Sequence, residues 1–353
     1  MKKIVIALGV LAIVIGFIIA RNKVSSKGSA ETQAGGARTL YLYAMSDYFP
    51  AAVIQNFEKT ANVTVKYDNF SNNEELLAKL QAGGGGYDLI VPSDYIVQAL
   101  IAEKLLQPLD KSQIPNLKNI SADFLNKPYD PNSEYTVPYT WGTTGIVYNS
   151  QHVKGTVDSW NVLFDEKYTG HISLLDDTRE VLGAMLRTLG HSTNTTDKAQ
   201  LEAAQKRLVE LKPRVRLFAS DPKQHLLSGD VWIAHIYSGD AQQVVRSNPD
   251  LKYIVPKEGG VIWIDNLAIP AGAKNADLAH AFINAILETE NAKTITQELG
   301  YSTPNAAIEN LLEDKTLRAS HVRNLGTNKL EFLKDLGADA ETWDRLWTEA
   351  KAH

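Results

Sequence analysis

Five short clusters set carboxylates beside aromatic rings or at points where the chain turns. They are Ser46-Asp47-Tyr48-Phe49, Ser93-Asp94-Tyr95, Asp176-Asp177-Thr178-Arg179-Glu180, Tyr237-Ser238-Gly239-Asp240 and Trp263-Ile264-Asp265. Each has an ordinary explanation when taken singly. An Asp after a Ser at a strand end caps a helix by default, two acids on one turn more often open a helix than catalyse, and a lone Trp263 would be core. Recurrence at one kind of position is harder to explain that way. Together, carboxylates and rings are what an organic polycation requires. Each ammonium head must exchange water for carboxylate oxygens, because an unpaired buried charge is prohibitive. The methylenes between heads gain by lying on aromatic faces, and an ammonium over a ring adds about 0.5–2 kcal/mol. Carboxylates spaced along an aromatic slot then measure ligand length.

The familiar catalytic sets are missing together. There is no Gly-x-Ser-x-Gly elbow, no His-Glu-x-x-His and no dinucleotide fingerprint after a strand. The eight histidines show no ligand spacing, and His235, inside the apolar run Val231–Ile236, reads as a core residue. Gly83–Gly86 lacks the Lys-Ser/Thr of a phosphate loop and reads as a surface loop. The acids at Asp176, Asp177 and Glu180 could serve a glycosidase, with helix capping as the plainer alternative. The absence of cysteine removes thiolate metal sites, cysteine nucleophiles, disulfides and a lipidated cysteine. Binding without covalent chemistry leads, and neither metal nor cofactor is expected.

The elements that must hold these clusters alternate. Thr39–Tyr43 reads as a strand, Ala51–Thr60 as a helix with Val53, Ile54 and Phe57 on one face, and Val63–Tyr67 as a strand. Ser71-Asn72-Asn73-Glu74 predicts a capping box opening a helix to Gln81, before a buried strand at Leu89–Val91. Further strands are predicted at Gly145–Asn149, Ile172–Leu175, Arg214–Phe218, Trp232–Ile236, Tyr253–Val255 and Ile262–Ile269. Helices are predicted at Glu180–Leu189, Asp197–Leu211, Ala276–Leu287 and Asn291–Leu299. This rhythm predicts an α/β fold with a mainly parallel sheet. Four of the five clusters then sit just beyond strand ends, facing a crevice between lobes, and the fifth lies in a strand returning between them. The length of 353 residues suits two domains.

The net charge of −5 hides an asymmetry. Residues 1–30 hold five basic side chains and no acid, so the rest of the chain carries −10. An acidic body argues against nucleic acid, which asks for a basic stripe, and suits a cationic ligand. At the N-terminus, Met1-Lys2-Lys3 precedes the apolar run Ile4–Ala20. That is the pattern of a signal peptide, although the run is long enough to serve as an uncleaved membrane anchor. Both alternatives place the body outside the cytoplasmic membrane. Residues 21–38, rich in Ser, Gly, Ala and Lys, read as a flexible linker.

Several longer stretches carry a resemblance. Tyr87-Asp88-Leu89-Ile90-Val91-Pro92-Ser93, residues 137–145, Asp176–Val181, Pro256-Lys257-Glu258-Gly259-Gly260, Trp263–Pro270 and Tyr301-Ser302-Thr303-Pro304-Asn305 resemble the periplasmic spermidine/putrescine-binding proteins of ABC transporters. The likeness runs from about Leu40 to Ile308, with a weaker tail. It implies the type II periplasmic-binding-protein fold, with 39–142 and 265–310 in one lobe and 143–264 and 311–353 in the other. It also implies a monomer in the periplasmic space that hands a polyamine to a membrane permease. Carried over by residue, it makes Asp47 and Tyr48 the first acid–aromatic site and Tyr95 a wall. Asp177 and Glu180 become amine-binding carboxylates, and Trp263 with Asp265 the central ring and its acid. Arg179 would orient the acids, and Trp141 would be hinge or core. Met45, Ser46, Asp94, Tyr237 and Asp240 complete the candidate set.

The sequence departs from the family at Met45 and Tyr237, where tryptophan is usual. Tyr237-Ser238-Gly239-Asp240 resembles the Trp-Ala-Gly-Asp of putrescine-type members, which makes Asp240 a further amine ligand. The glutamine of spermidine binders has no counterpart in Asn328–Lys334. Diamine and triamine both remain open, as do another small organic cation and a role in polyamine sensing.

Overall fold

The computed structural model describes residues 38–83, 85–325 and 329–352. The expected signal or anchor at 1–20 lies outside the described residues, as does the linker at 21–38 apart from Arg38. The strands are β1 Arg38–Ala44, β2 Val63–Asn69, β3 Leu89–Ile90, β4 Thr136–Asn149, β5 Ile172–Leu174, β6 Val215–Phe218, β7 Ile233–Tyr237, β8 Leu251–Ile254, β9 Val261–Ala268 and β10 Glu331–Phe332. The helices are α1 Ala51–Ala61, α2 Asn73–Gln81, α3 Asp94–Ala102, α4 Thr178–Thr188, α5 Lys198–Leu211, α6 Lys223–Ser228, α7 Ser238–Ser247, α8 Ala276–Ile286, α9 Thr289–Leu299 and α10 Ala340–Ala352.

The strands follow the order β2-β1-β3-β9-β4-β7-β5-β6, with β10 on β9 and β8 on β4. At one end β1 pairs in parallel with β2 and β3; at the other β5 pairs in parallel with β6 and β7. Helical crossovers make such parallel units. The two ends are joined by strands that run the other way. The first half of β4, Thr136–Thr143, pairs antiparallel with β9, and the second half pairs with β7 and β8. One continuous strand therefore crosses from one half of the molecule to the other.

The two largest hydrophobic cores define two α/β lobes, and a smaller cluster of Val147, Leu226, Ala234, Ala241 and Val244 joins α6 and α7 to the β4–β7 side. The first gathers Leu40, Leu42, Val53, Phe57, Leu89 and Phe282 with Val137, Trp141 and Val261–Ile264 of the crossing strands. The second gathers Ile146, Trp160, Ile172, Leu174, Met185, Leu208 and Ile233 with Trp343 and Leu346 of α10. The tail visits both, since Ala319 and Leu333 pack in the first core and the chain enters the second only at Leu336.

Local rules explain the helix starts that matter. The predicted capping box moves by one residue: Asn72 Oδ1 accepts from Glu75 N at 2.9 Å, and Glu75 accepts from Ser71 N at 2.8 Å. Asn outranks Ser as an N-cap only slightly, yet the shift releases Glu74 from capping. Asp177 caps α4 by accepting from Glu180 N at 3.0 Å, and Asp197 caps α5 by accepting from Gln200 N at 3.0 Å.

Candidate functional site

The carboxyl ends of β1, β3, β5 and β7 open onto one cleft, and β9 supplies its floor. A small inner slot of about 40 Å³ is lined by Met45, Tyr48, Asn73, Ser93, Tyr95, Asp177, Glu180, Tyr237, Trp263, Asp265, Tyr301 and Leu333. An outer cleft of about 580 Å³ shares Met45, Tyr48, Asp177, Tyr237 and Tyr301 with it. The outer cleft also reaches Ser46, Asp47, Asp221, Lys223 and Asp240.

At the base of the slot, Asp265 accepts hydrogen bonds from Tyr48 Oη and from Ser93 Oγ, the latter at 2.5 Å. The Ser93 hydroxyl accepts in turn from Asn73 Nδ2 at 3.0 Å, and Tyr48 Oη lies 3.1 Å from Thr140 Oγ1. The chain therefore ties the start of α2, the start of α3, β4 and β9 to one carboxylate. Burial pushes the Asp265 carboxyl up to about 6 although both hydrogen bonds oppose that rise.

On the opposite lobe, Asp177 divides its oxygens between two tasks. One caps α4, and the other lies 3.3 Å from Tyr237 Oη. Glu180, one turn on, accepts from Thr144 Oγ1 at 2.9 Å. Burial raises both carboxyls above the usual carboxylate range, and Asp177 adds to the rise at Glu180. Among the described residues, no Lys or Arg lies within ion-pair distance of Asp177, Glu180 or Asp265. Arg179 faces them more remotely. It donates to Lys334 O and Asn194 Oδ1 and lies 5.6 Å from the Tyr95 ring and 4.9 Å from the Trp343 ring.

The rings form a continuous wall. Trp263 meets Tyr237 edge-on at 6.1 Å and Tyr301 at 5.3 Å, and Tyr301 meets Tyr48 at 5.9 Å. Two glycines make room for it. A Cβ on Gly142 would lie 2.7 Å from the Trp263 ring, and one on Gly239 would lie 2.2 Å from the Tyr301 ring.

The structure brings Tyr48, Tyr95, Asp177, Glu180, Tyr237, Trp263, Asp265 and Met45 to the slot. Ser46 and Asp47 lie exposed at the rim of the outer cleft, with Asp47 in a left-handed turn at φ 56° and not at a helix start. Asp94 is turned away from the slot, toward the backbone N–H groups of Tyr95 at 2.8 Å and Ile264 at 3.3 Å. It positions α3 against β9. Asp240 stands in the outer cleft, where Lys223 Nζ lies 2.8 Å from it. Trp141 is fully buried in the first core.

Sequence reasoning did not select Tyr301, Ser93, Asn73, Glu74, Leu333 or Lys223. Tyr301 and Ser93 stood inside recognised stretches, but their aim depends on packing over long sequence separations. Glu74 accepts from Tyr95 Oη at 3.0 Å; the residue is exposed overall, and partial desolvation of its carboxyl together with the Asp177 charge raises it. In the stretch searched for a glutamine, Leu333 lines the slot and Asn328 lies outside the described residues. Among the described residues no group of three or more His, Asp or Glu side chains is placed to hold a metal ion.

Two α/β lobes joined by long shared strands, with acids and rings gathered where the lobes meet, define a two-lobed receptor for a small solute. The family model described as bacterial extracellular solute-binding protein matches residues 52–321, and the chain belongs to that family. It is 38% identical, over 92% of its length and 95% of the other protein, to the spermidine/putrescine-binding periplasmic protein of Escherichia coli K12. It is 37% identical to the putrescine/cadaverine-binding protein of Pseudomonas aeruginosa, over 90% of this chain and 95% of that protein. Among solved structures, the spermidine/putrescine ABC transporter substrate-binding protein of Streptococcus pneumoniae superposes with a TM-score of 0.74 at 35% identity. That match covers 90% of this chain and 99% of the other. Among the described residues no helix is long and apolar enough to cross a membrane.

Proposed function

We propose that the protein captures a polyamine, putrescine or spermidine, outside the cytoplasmic membrane and delivers it to an ABC permease, without covalent chemistry. The observation that carries the reading is the slot itself. Three carboxylates, the buried Glu180 and Asp265 and the half-buried Asp177, face an aromatic enclosure with no ion-pair partner among the described residues. Holding them so is unfavourable until a cation arrives. An amine head placed at Asp265 would stand against Trp263 and Tyr48, and a second head would stand between Asp177 and Glu180. The methylenes between heads would lie on Tyr237 and Trp263. Asp47 at the rim would meet an amine as it enters. The relatives named for spermidine and putrescine support the same ligand class.

Titration calorimetry with putrescine and spermidine tests it. Wild-type protein binds at least one of them, and Asp265→Ala and the double variant Asp177→Ala/Glu180→Ala each lose at least about a hundredfold in affinity, the scale for unpairing a buried charge. Unaltered affinity in both variants rules out this site.

A further inference from the structure

This inference rests on the amine-binding reading and concerns how long an amine the site accepts. Lys223 opens α6 and reaches into the outer cleft, its side chain only 21% exposed. Its Nζ lies 2.8 Å from Asp240 Oδ1 and 3.6 Å from Asp221 Oδ2. The other Asp240 oxygen lies 3.5 Å from Tyr301 Oη, and the Tyr301 ring also walls the inner slot. Asp240 therefore stands one ring beyond the slot, and the cation it meets is the protein's own. The slot acids Asp177, Glu180 and Asp265 have no such partner among the described residues.

We propose that Lys223 is a tethered ammonium that fills the outermost amine position, so that the site selects a two-headed amine over a three-headed one. A diamine needs only the two carboxylate groups of the slot. A third ammonium further along the chain arrives at an acid that is already neutralised, with a like charge beside it. It must remain solvated in the cleft or displace Lys223, and either choice removes its share of the binding free energy. The lysine keeps its charge there: burial opposes it, but Asp240 and Asp221 outweigh burial and hold the ammonium pKa above its ordinary value. Lys223 and Asp240 both belong to the second lobe, on α6 and α7, so a hinge motion between lobes leaves their pair intact. Replacing the lysine by a neutral side chain leaves Asp240 partly buried without a counter-ion, which is the condition under which a carboxylate recruits one.

Calorimetry with putrescine and with spermidine at pH 7.5 tests the proposal on wild type, Lys223→Met, Lys223→Arg and the double variant Lys223→Met/Asp240→Asn. Wild type prefers putrescine. Lys223→Met shifts the spermidine-to-putrescine affinity ratio toward spermidine by about tenfold or more, the scale of one charge-assisted hydrogen bond. Lys223→Arg keeps the wild-type ratio, and the double variant loses the gain. Thermal melting of each variant confirms that it is folded, with Lys223→Gln as a second neutral replacement. Amine binding by wild type with the same ratio in Lys223→Met and Lys223→Gln overturns the role of Lys223 and leaves the functional reading standing. No amine binding by wild type or by any folded variant overturns the functional reading, and this inference with it.

Discussion

Asp265 is 4% exposed, and its carboxyl is pushed up to about 6 because burial outweighs the hydrogen bonds from Ser93 and Tyr48. The sign of the consequence follows from linkage. An unfolded aspartate titrates near 3.9, so between about pH 4 and pH 6 the folded, unliganded protein holds a proton that the unfolded chain has lost. Stability therefore falls as pH rises through that window, and above it Asp265 destabilises the empty protein by on the order of 3 kcal/mol. Asp265→Asn should raise the unfolding free energy at pH 7.5, change it little at pH 4, and abolish amine binding. Urea denaturation at both pH values, together with calorimetry, checks this; a variant less stable than wild type at pH 7.5 contradicts it. For wild type, amine affinity should climb from pH 5 to pH 7 as the carboxyl gives up its proton. At this scale the sequence showed which residue types could bind a cation but not which way they aim. Asp177 was visible both as a cap and as a ligand, and one oxygen performs the first task while the other faces Tyr237. Asp94 carried the same Ser-Asp signature and points to backbone amides. Lys223 gave no signal, because its partner Asp240 becomes adjacent only when α6 packs on α7.

Between residues and lobes, the elements act through their ends. The four-residue run Tyr237–Asp240 joins β7 to α7, and its glycine is needed for space, not for backbone freedom. A Cβ at Gly239 would meet the Tyr301 ring at 2.2–2.5 Å. Gly239→Ala should therefore push that ring out of the slot, cost about 1–3 kcal/mol as overpacking does, and weaken amine binding. Ser238→Ala, next to it, should leave the Tyr301 ring in place. Chemical denaturation and calorimetry on the two variants separate these effects, and a Gly239→Ala protein with wild-type affinity would refute the argument. Element prediction succeeded where periodicity was plain. Asp197 with Gln200 marked the start of α5, and the alternation in Val63–Tyr67 marked β2. It fell short at β4, where only Gly145–Asn149 was predicted and the strand begins at Thr136. The missing half, Thr136–Thr144, is buried on both faces and contains Pro138 and Gly142, so it shows neither alternation nor a continuous β-branched run. Its register also shifts between Pro138 and Thr140. The strand that links the lobes was thus the one that local rules could not see.

Over the whole molecule, the slot draws its walls from both lobes. Tyr48, Tyr95, Trp263, Asp265 and Tyr301 belong to the first core or its edge, while Asp177 and Glu180 open α4 of the second. A volume of about 40 Å³ accommodates at most a few waters, so an extended amine enters only if the lobes part. The strand β4 is the natural hinge, because among the described strands it pairs both with β9 on one side and with β7 and β8 on the other. Parting the lobes returns water to Asp177, Glu180 and Asp265, while Glu74, which also faces Asp177, is already exposed; Arg179 moves with Asp177 and Glu180 on α4. Since desolvation raises the carboxyls of Asp177, Glu180 and Asp265 in the arrangement described, that arrangement binds protons more tightly than an opened one. Acid should therefore favour the closed lobes, and neutral pH the open ones, until an amine supplies the positive charge in place of protons. Small-angle scattering reads this directly. The unliganded protein should have a larger radius of gyration at pH 7.5 than at pH 5, and putrescine at pH 7.5 should bring it back. A triple variant with Asp177→Asn, Glu180→Gln and Asp265→Asn should stay compact at both pH values and ignore the amine. Equal radii for wild type at pH 5 and pH 7.5 would show that the buried acids do not control the lobes, whatever ligand the slot accepts.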